Sequence, residues 1–347
     1  MKINRAWAIC GGAFLVLFLL GMTVLANSDQ DRIQAKPVNK NASDGAQKLL
    51  RLLYEINGQY TLSGQHDYLE APDHYYKRLK QLTGDYPAVK GYEFGGITNQ
   101  TEKELAGFRD KVVKNAIEWN KSGSIVTISY HMNQPGACYC WNMINNGGIS
   151  GETFQEIITP GTDLYKKHIA DLDRTAVYLK KLRDAGVPVL WRPYHEMNGK
   201  WFWWGGQPEF AKLWEIMYER YTKVHKLNNL LWVWSAATLE WADDFEKYYV
   251  GPERADVIAI DIYDNKYEQE YYDRLVRLAE GKPVALGENG ELPADEVLSE
   301  AQNHYVWFMT WSEMIEEKNA PDQVRALYAS DRVLTRDELS KMRQSSR

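Results

Sequence analysis

Two glutamates, Glu196 and Glu288, stand where acid–base chemistry could be done. The first lies in VLWRPYHEMNGKWFWWGG, residues 189–206, a β-rich run whose alternation places Arg192, Tyr194 and Glu196 on one side. Glu196 ends that run, where the chain turns out through Asn198 and Gly199. His195 precedes it and Trp201, Trp203 and Trp204 follow. Such partly apolar surroundings disfavour the charged form and make a carboxyl a proton donor near neutrality. The second glutamate lies in KPVALGENGE, where an apolar run gives way to a polar turn. Glu291 is its rival, but the turn pair Asn289-Gly290 is expected to carry Glu291 away from the strand end. Taken singly, each acid is as ordinary as any solvated surface charge. As a pair facing one cavity, roughly 5 to 5.5 Å apart, they would suit a double displacement at a glycosidic bond.

Positioning such a pair requires matching strand ends. Short β-rich runs at Tyr60–Gly64, Ala88–Phe94, Ile125–Tyr130, Pro188–Tyr194, Leu230–Trp234, Val257–Tyr263, Pro283–Gly287 and Tyr305–Met309 alternate with amphipathic stretches such as Ala106–Asn120, Leu164–Ala185, Pro208–Lys226 and Tyr271–Glu280. Several of the latter stop at Gly-x-Pro or Gly-Lys-Pro, which ends a helix before a strand. Repeated βα units of about 31 residues predict an α/β fold of the (β/α)8 TIM-barrel class, with Glu196 ending the fourth strand and Glu288 the seventh. A doubly wound open sheet is the competing plan, but no Gly-x-Gly-x-x-Gly follows the first strand. The Gly-, Asn- and Pro-rich segment Asn133–Asp163, following the third strand, is expected over the C-terminal face, where barrel sites are built.

Composition is ordinary for a globular chain of 347 residues, except for its aromatics: 13 Trp and 22 Tyr. Two uses stay open for them, a Trp-rich core and flat faces on which sugar rings stack. The net charge of −6 gives no basic patch of the kind nucleic-acid binders carry, so no nucleic-acid partner is expected. Lys2 and Arg5 precede an uncharged run from Ala6 to Ala26, with Val24 and Ala26 as small residues before a cleavage site. The run also reaches the roughly 20 residues that span a bilayer, so a cleaved signal peptide and an N-terminal membrane anchor both stay open. Cys10 sits inside the run, which argues against a lipid-modified N-terminal cysteine. Residues 1–26 are thus read as an export segment, 27–45 as a polar linker and 46–347 as one catalytic domain, an exported monomer that is periplasmic, on the cell surface or secreted. Cys138 and Cys140 are expected as free thiols, with a Cys-x-Cys bridge as the alternative. No Cys/His spacing resembles a zinc site, and neither metal nor organic cofactor is expected.

The stretch RPYHEMNGKWFWWG closely resembles the acid/base motif of glycoside hydrolase family 26, best known for β-1,4-mannanases, and ALGENG resembles its nucleophile strand. SGQH, YPAVKGYEF, ISYHMNQPG and DVIAIDIYD, near the first, second, third and sixth strands, are similar to family segments as well. The resemblance implies a (β/α)8 fold with Glu196 as acid/base and Glu288 as nucleophile. It also implies that His195 holds the acid and contacts the sugar, that Tyr263 hydrogen-bonds the nucleophile, that His131 and Trp311 line the site of the sugar being cleaved, and that Trp201 stacks at a neighbouring subsite. Packing roles remain the alternative for His131, Trp201 and Trp311, and a barrel-capping role for Tyr263. The polar continuation Asn289-Gly290-Glu291 and the loop Cys138–Asn146 depart from the family pattern. The implied activity is an endo-β-1,4-mannanase; β-1,3-xylan or mixed-linkage β-glucan as substrate, or a non-catalytic glycan-binding barrel, are the alternatives.

Overall fold

The computed structural model describes residues 35–345. The expected export segment and the first part of the expected linker lie outside the described residues. At the centre is a seven-stranded parallel sheet in which chain order and spatial order coincide: β1 (Gly64–His66), β2 (Val89–Glu93), β3 (Ile125–Tyr130), β4 (Val189–Pro193), β5 (Leu230–Ala237), β6 (Val257–Ile262) and β7 (Val284–Asn289). Of these runs, β3, β5 and β6 are mostly apolar because both faces are covered. Long helices return the chain between strands, among them Glu102–Lys121 after β2 and Asp163–Asp184 before β4. Thr101 and Glu104 form a reciprocal capping box at the start of the first, and Thr162 caps the second.

Two expected strands differ in form. The run at Tyr60–Gly64 is split: Thr61–Leu62 pairs with Val333–Leu334, and only from Gly64 onward does the chain join the main sheet. Gly64 passes so close to the Phe308 carbonyl that any Cβ there would overlap it. The expected eighth strand, Tyr305–Met309, is not a regular strand. Residues 305–311 instead form isolated parallel bridges, Leu62 N donating to Val306 O (2.9 Å) and His66 N to Thr310 O (2.9 Å) on one side, Leu286 N to Trp307 O (3.0 Å) and Asn289 N to Met309 O (2.8 Å) on the other. The segment therefore bonds to both edges of the sheet, an arrangement consistent with the (β/α)8 plan. The expected helix Pro208–Lys226 is regular over Phe210–Glu219 and continues as a π-turn over Arg220–Val224.

The core falls into two clusters. One lies between the sheet and the outer helices and holds most of the large aromatics. The other fills the interior of the sheet with Val89, Leu190, Val233 and Ala259 and is capped by Leu49, Leu50 and Leu53 of the helix Asp44–Ile56. Seven tryptophans, including Trp203 and Trp204, are fully buried, so most of the aromatic excess is packing.

The expected start of the domain near Ala46 moves upstream. Val38 N donates to the buried Asp256 carboxylate (2.7 Å), Tyr218 OH donates to Val38 O (3.0 Å), and Asn39 bonds Asn228 (3.1 Å), so residues 35–43 are docked rather than free linker. Asn228 and Asp256 precede β5 and β6, which puts this docking at the pole opposite the strands' C-terminal ends.

Candidate active site

Glu196 and Glu288 converge. Each offers a carboxylate oxygen that, with one from Asp261, forms a group lying within 4.8 Å of one another at the C-terminal ends of β4, β6 and β7. The chain achieves this by departing from regular strand geometry. Tyr194 and Glu196 both take positive φ (48° and 55°), a left-handed conformation that non-glycine residues avoid unless their surroundings impose it. Here Glu196 N donates to Ser235 O (2.8 Å), and Asn198 pairs with the Ala237 backbone, donating to its carbonyl (2.9 Å) and accepting from its N–H (2.8 Å). These bonds fold the β4 exit over β5. In β7 the register slips between Leu286 and Glu288, which sets Glu288 opposite Asp261. The residue at the slip must be glycine, because a Cβ on Gly287 would overlap Ser235 Oγ and Asp261 Oδ1.

The kink at Tyr194 corrects the alternation expected along β4. Arg192 and Glu196 face the site, but Tyr194 points outward, where its hydroxyl lies 3.3 Å from Met132 Sδ and 3.4 Å from His168 Nε2. His195 takes the inward direction in its place.

The two glutamates are held differently. Arg192 donates to one oxygen of Glu288 and to Asp261 Oδ2 (3.2 Å), while Tyr263 OH donates to the other Glu288 oxygen (2.5 Å). Glu288 is thereby oriented by two donors and its charge is countered by a guanidinium. Among the described residues the Glu196 carboxylate accepts only from Trp201 Nε1 (2.6 Å), and it lies at the edge of the cleft, where it keeps some exposure. Burial, with Asp261 and Glu288 adding like charge, pushes its carboxyl well above the usual range. Burial likewise pushes Asp261 up, to about 7, with Arg192 opposing. Three carboxylates so close could in principle hold a cation, but Arg192 already supplies positive charge to two of them.

The other expected residues join the same network. His195 Nε2 lies 3.7 Å from Glu288 and 3.0 Å from His131 Nε2. Burial, aided by Arg192 and His131, pushes His195 well below the usual imidazole range. Trp311 is partly exposed, stacks on His66 with ring centroids 4.2 Å apart, and meets His131 edge-on at 5.6 Å. Of the tryptophans in the loop after β4, only Trp201 reaches the site; Trp203 and Trp204 donate to backbone carbonyls in the core. Glu291 is carried to the rim, where it accepts from Asn265 N (3.2 Å).

Several site residues have no distinct signal in the sequence. Asp261 and Ser235 sit in apolar strands and Glu93 ends the mixed run VKGYE; all three meet the others only through the parallel register, as with Glu93 opposite Ser129 and Glu288 opposite Asp261. Trp241 is another: 72% exposed, it lines a cleft of about 260 Å³ together with Glu196, Trp201, Asp261, Tyr263 and Asp264. An apolar ring left in water beside the paired acids is free to stack on a flat apolar face.

The insertion after β3 borders this cleft. Tyr139–Cys140 pairs with Thr98–Gln100 as a small antiparallel ribbon, and Asn146 and Gly147 donate to Trp201 O (3.0 and 3.1 Å). Cys138 and Cys140 form a disulfide, which corrects the expectation of free thiols. The physical reason is a tight turn: Cys140 N donates to Cys138 O (3.0 Å), bringing the two Cα atoms to 5.5 Å, within the ordinary range for a bridge. Trp141, 41% exposed, follows directly and packs toward His131 and Phe202.

Comparisons with known proteins place the chain in a family. The family model described as glycosyl hydrolase family 26 matches residues 38–338. The chain is 31% identical to a mannan endo-1,4-beta-mannosidase of Thermothelomyces thermophilus, over 92% of this chain and 66% of that protein. It is 30% identical to a mannan endo-1,4-beta-mannosidase of Bacillus subtilis, over 76% of each. Among solved structures, GH26A from Muricauda sp. MAR_2010_75 is 41% identical with a TM-score of 0.82, covering 86% of this chain and 99% of that one. A beta-mannanase from a symbiotic protist of the termite Reticulitermes speratus, solved with gluco-manno-oligosaccharide, is 29% identical with a TM-score of 0.77, covering 88% and 97%. The chain spans between half and two thirds of the length of the first curated relatives it matches.

Proposed function

The chain belongs to glycosyl hydrolase family 26, and from that premise we propose that it is an endo-β-1,4-mannanase that cleaves mannan-type polysaccharide with retention of anomeric configuration. Glu288 attacks the anomeric carbon while Glu196 gives its proton to the departing glycosidic oxygen, so the C–O bond breaks as the glycosyl–enzyme bond forms. Glu196, now ionised, takes a proton from water, whose oxygen attacks the same carbon and releases Glu288. The observation that carries this reading is the pair itself: carboxylates within 4.8 Å, one oriented by Arg192 and Tyr263, the other pushed toward its protonated form. In this scheme His131, His195 and Trp311 contact the sugar being cleaved, Tyr263 steadies the nucleophile and Trp201 stacks at the next subsite.

Proton NMR of the first products from a mannan tests the mechanism: β-anomers are expected at early times, and initial α-anomers would remove Glu288 as nucleophile. New reducing ends assayed across mannan, β-1,3-xylan and mixed-linkage β-glucan test the substrate, with mannan expected to dominate. Product sizes on a mannooligosaccharide series test internal cutting, for which a rapid spread of intermediate lengths is expected.

The fold and the location extend the proposal. Residues 305–311 serve as the eighth stave of a (β/α)8 barrel, supported by their bonds to β1 and β7. The protein acts as an exported monomer, with residues 1–26 directing export or anchoring it. The basic-then-apolar N-terminal pattern supports export, as does the Cys138–Cys140 bridge, a bond that persists in oxidising compartments. Mass spectrometry of the mature protein recovered from its host would tell a cleaved from an uncleaved N-terminus.

A further inference from the structure

Beneath the two glutamates lies a chain of buried polar groups that ends in a third acid. Glu93, at the end of β2, accepts five hydrogen bonds. Phe94 N (2.9 Å), Gly95 N and His131 N (2.9 Å) donate to Oε1; Ser129 Oγ (2.7 Å) donates to Oε2, and His131 Nδ1 lies 2.7 Å from that same oxygen. Burial raises its carboxyl's proton affinity, and the groups around it, His131 foremost, bring it down to about 2. An ionised carboxylate only accepts, so the proton shared with His131 must sit on Nδ1. A neutral His131 then offers a bare Nε2, and the 3.0 Å contact with His195 Nε2 can be made only if His195 carries its proton there.

The other end of the chain points the same way. His195 Nδ1 is buried with no hydrogen-bond partner among the described residues. With the proton on Nε2 this atom is an unfilled acceptor; with the proton on Nδ1 it would be an orphaned buried N–H, the rarer and costlier case. His195 Nε2 also lies 3.7 Å from Glu288.

We propose that Glu93 is a positioning residue that fixes the direction of the hydrogen bonds running through His131 and His195, so that an N–H and not a lone pair stands beside Glu288. The inference deepens the glycosidase reading and rests on it for its kinetic consequence alone. The geometry supplies a substitution that reverses the chain without emptying the site. In Glu93→Gln the three backbone N–H groups leave the amide oxygen one place, at Oε1, so its NH2 must face Ser129 and His131. Ser129 can turn its hydroxyl to Tyr92 O, 3.3 Å away. His131 must then accept at Nδ1 and donate from Nε2, and His195 must accept there and carry its proton on Nδ1.

Histidine-selective 15N NMR of the full chain at about pH 8, above the ordinary imidazole range, reads this directly. In the wild type His131 is expected to be protonated at Nδ1 and bare at Nε2, and the two positions exchange roles in Glu93→Gln. Ser129→Ala, which removes a different donor, keeps the wild-type pattern. A wild-type His131 protonated at Nε2 or at both nitrogens overturns the proposal, as does an unchanged pattern in Glu93→Gln. Should that variant fail to fold, the wild-type spectrum alone decides. On mannan, Glu93→Gln is expected to lose roughly ten- to a hundredfold in kcat, the usual scale for groups one bond removed from chemistry, with KM within about twofold. A loss confined to KM would overturn the positioning role. A wild type that cleaves no glycan would overturn the glycosidase reading and leave the imidazole spectra to test this one.

Discussion

Two buried ionic networks lie on opposite faces of the sheet, and they resemble each other until one asks what each can reach. On the inner face, Arg192 joins Asp261 and Glu288, all almost without exposure. On the outer face, Lys90 of β2 lies 3.0 Å from Asp67 with neither side chain exposed, and 3.5 Å from Asp73, ringed by Tyr76 at 4.1 Å and Tyr92 at 4.9 Å. Burial pushes Lys90 down and Asp67 up, so shifted proton affinity does not separate the two. Access does. The Lys90–Asp67 pair is sealed beneath helix His74–Thr83, whose first turn donates two backbone N–H groups to Asp67, and the part-exposed Asp73 beside it is held by Lys77 and Trp119, whereas the inner network opens through Glu196 onto the cleft beside Trp201 and Trp241. A buried charge cluster marks a reaction site only when an ionisable member faces space a substrate can enter.

The comparison breaks most sharply at Glu288. Glu288→Ala should lower kcat on mannan by about 10⁴-fold or more and leave thermal unfolding little changed, since Arg192 keeps Asp261; near-wild-type turnover would dismiss the pairing. The outer network should answer in the opposite currency. Lys90→Met leaves Asp67 unpaired and is expected to lower stability by roughly 3–5 kcal/mol in denaturant titrations, while kcat/KM of the folded fraction stays unchanged. A loss of activity without a loss of stability would erase the distinction between the two faces.

A finer cut comes from Asp261, whose negative charge helps hold Glu196 protonated. Asp261→Asn removes that charge, so Glu196 gives up its proton at lower pH and the alkaline limb of kcat/KM against pH should move down. The change should be largest above pH 7, where Asp261 itself is mostly ionised. A limb that stays in place would assign it to another group. The smallest effect is expected at the cleft's rim: Trp241→Ala should raise KM for mannooligosaccharides by a fewfold, the scale of about 0.5–1.5 kcal/mol for an aromatic contact, with stability unaffected because the ring is already in water.

How much of this was legible depended on whether a feature is local in the chain. Ile125–Tyr130 reads as a strand and is one, because a buried parallel strand needs only an apolar β-branched run. Glu196 and Glu288 are legible because each ends such a run. Asp261 and Glu93 are not, since what makes them part of the site is the neighbour across the sheet. Tyr194 defeats alternation because positive φ reverses the side of the strand, and only the bonds to β5 reveal it. Residues 305–311 read as a strand yet form isolated bridges, and residues 35–43 read as linker yet dock. In both cases the partners, β1 and β7 for one and Asp256 and Asn228 for the other, lie far away in sequence. The Cys138–Cys140 bond turned on a local backbone fold that residue types do not specify.

The clasp between Val38 and Asp256 has a consequence for how the molecule would stand on any support. A rope tied to the keel leaves the deck clear. Held from upstream of residue 35, the domain would present its open end away from whatever holds it, and a long polymer could pass across that end without colliding with the mooring.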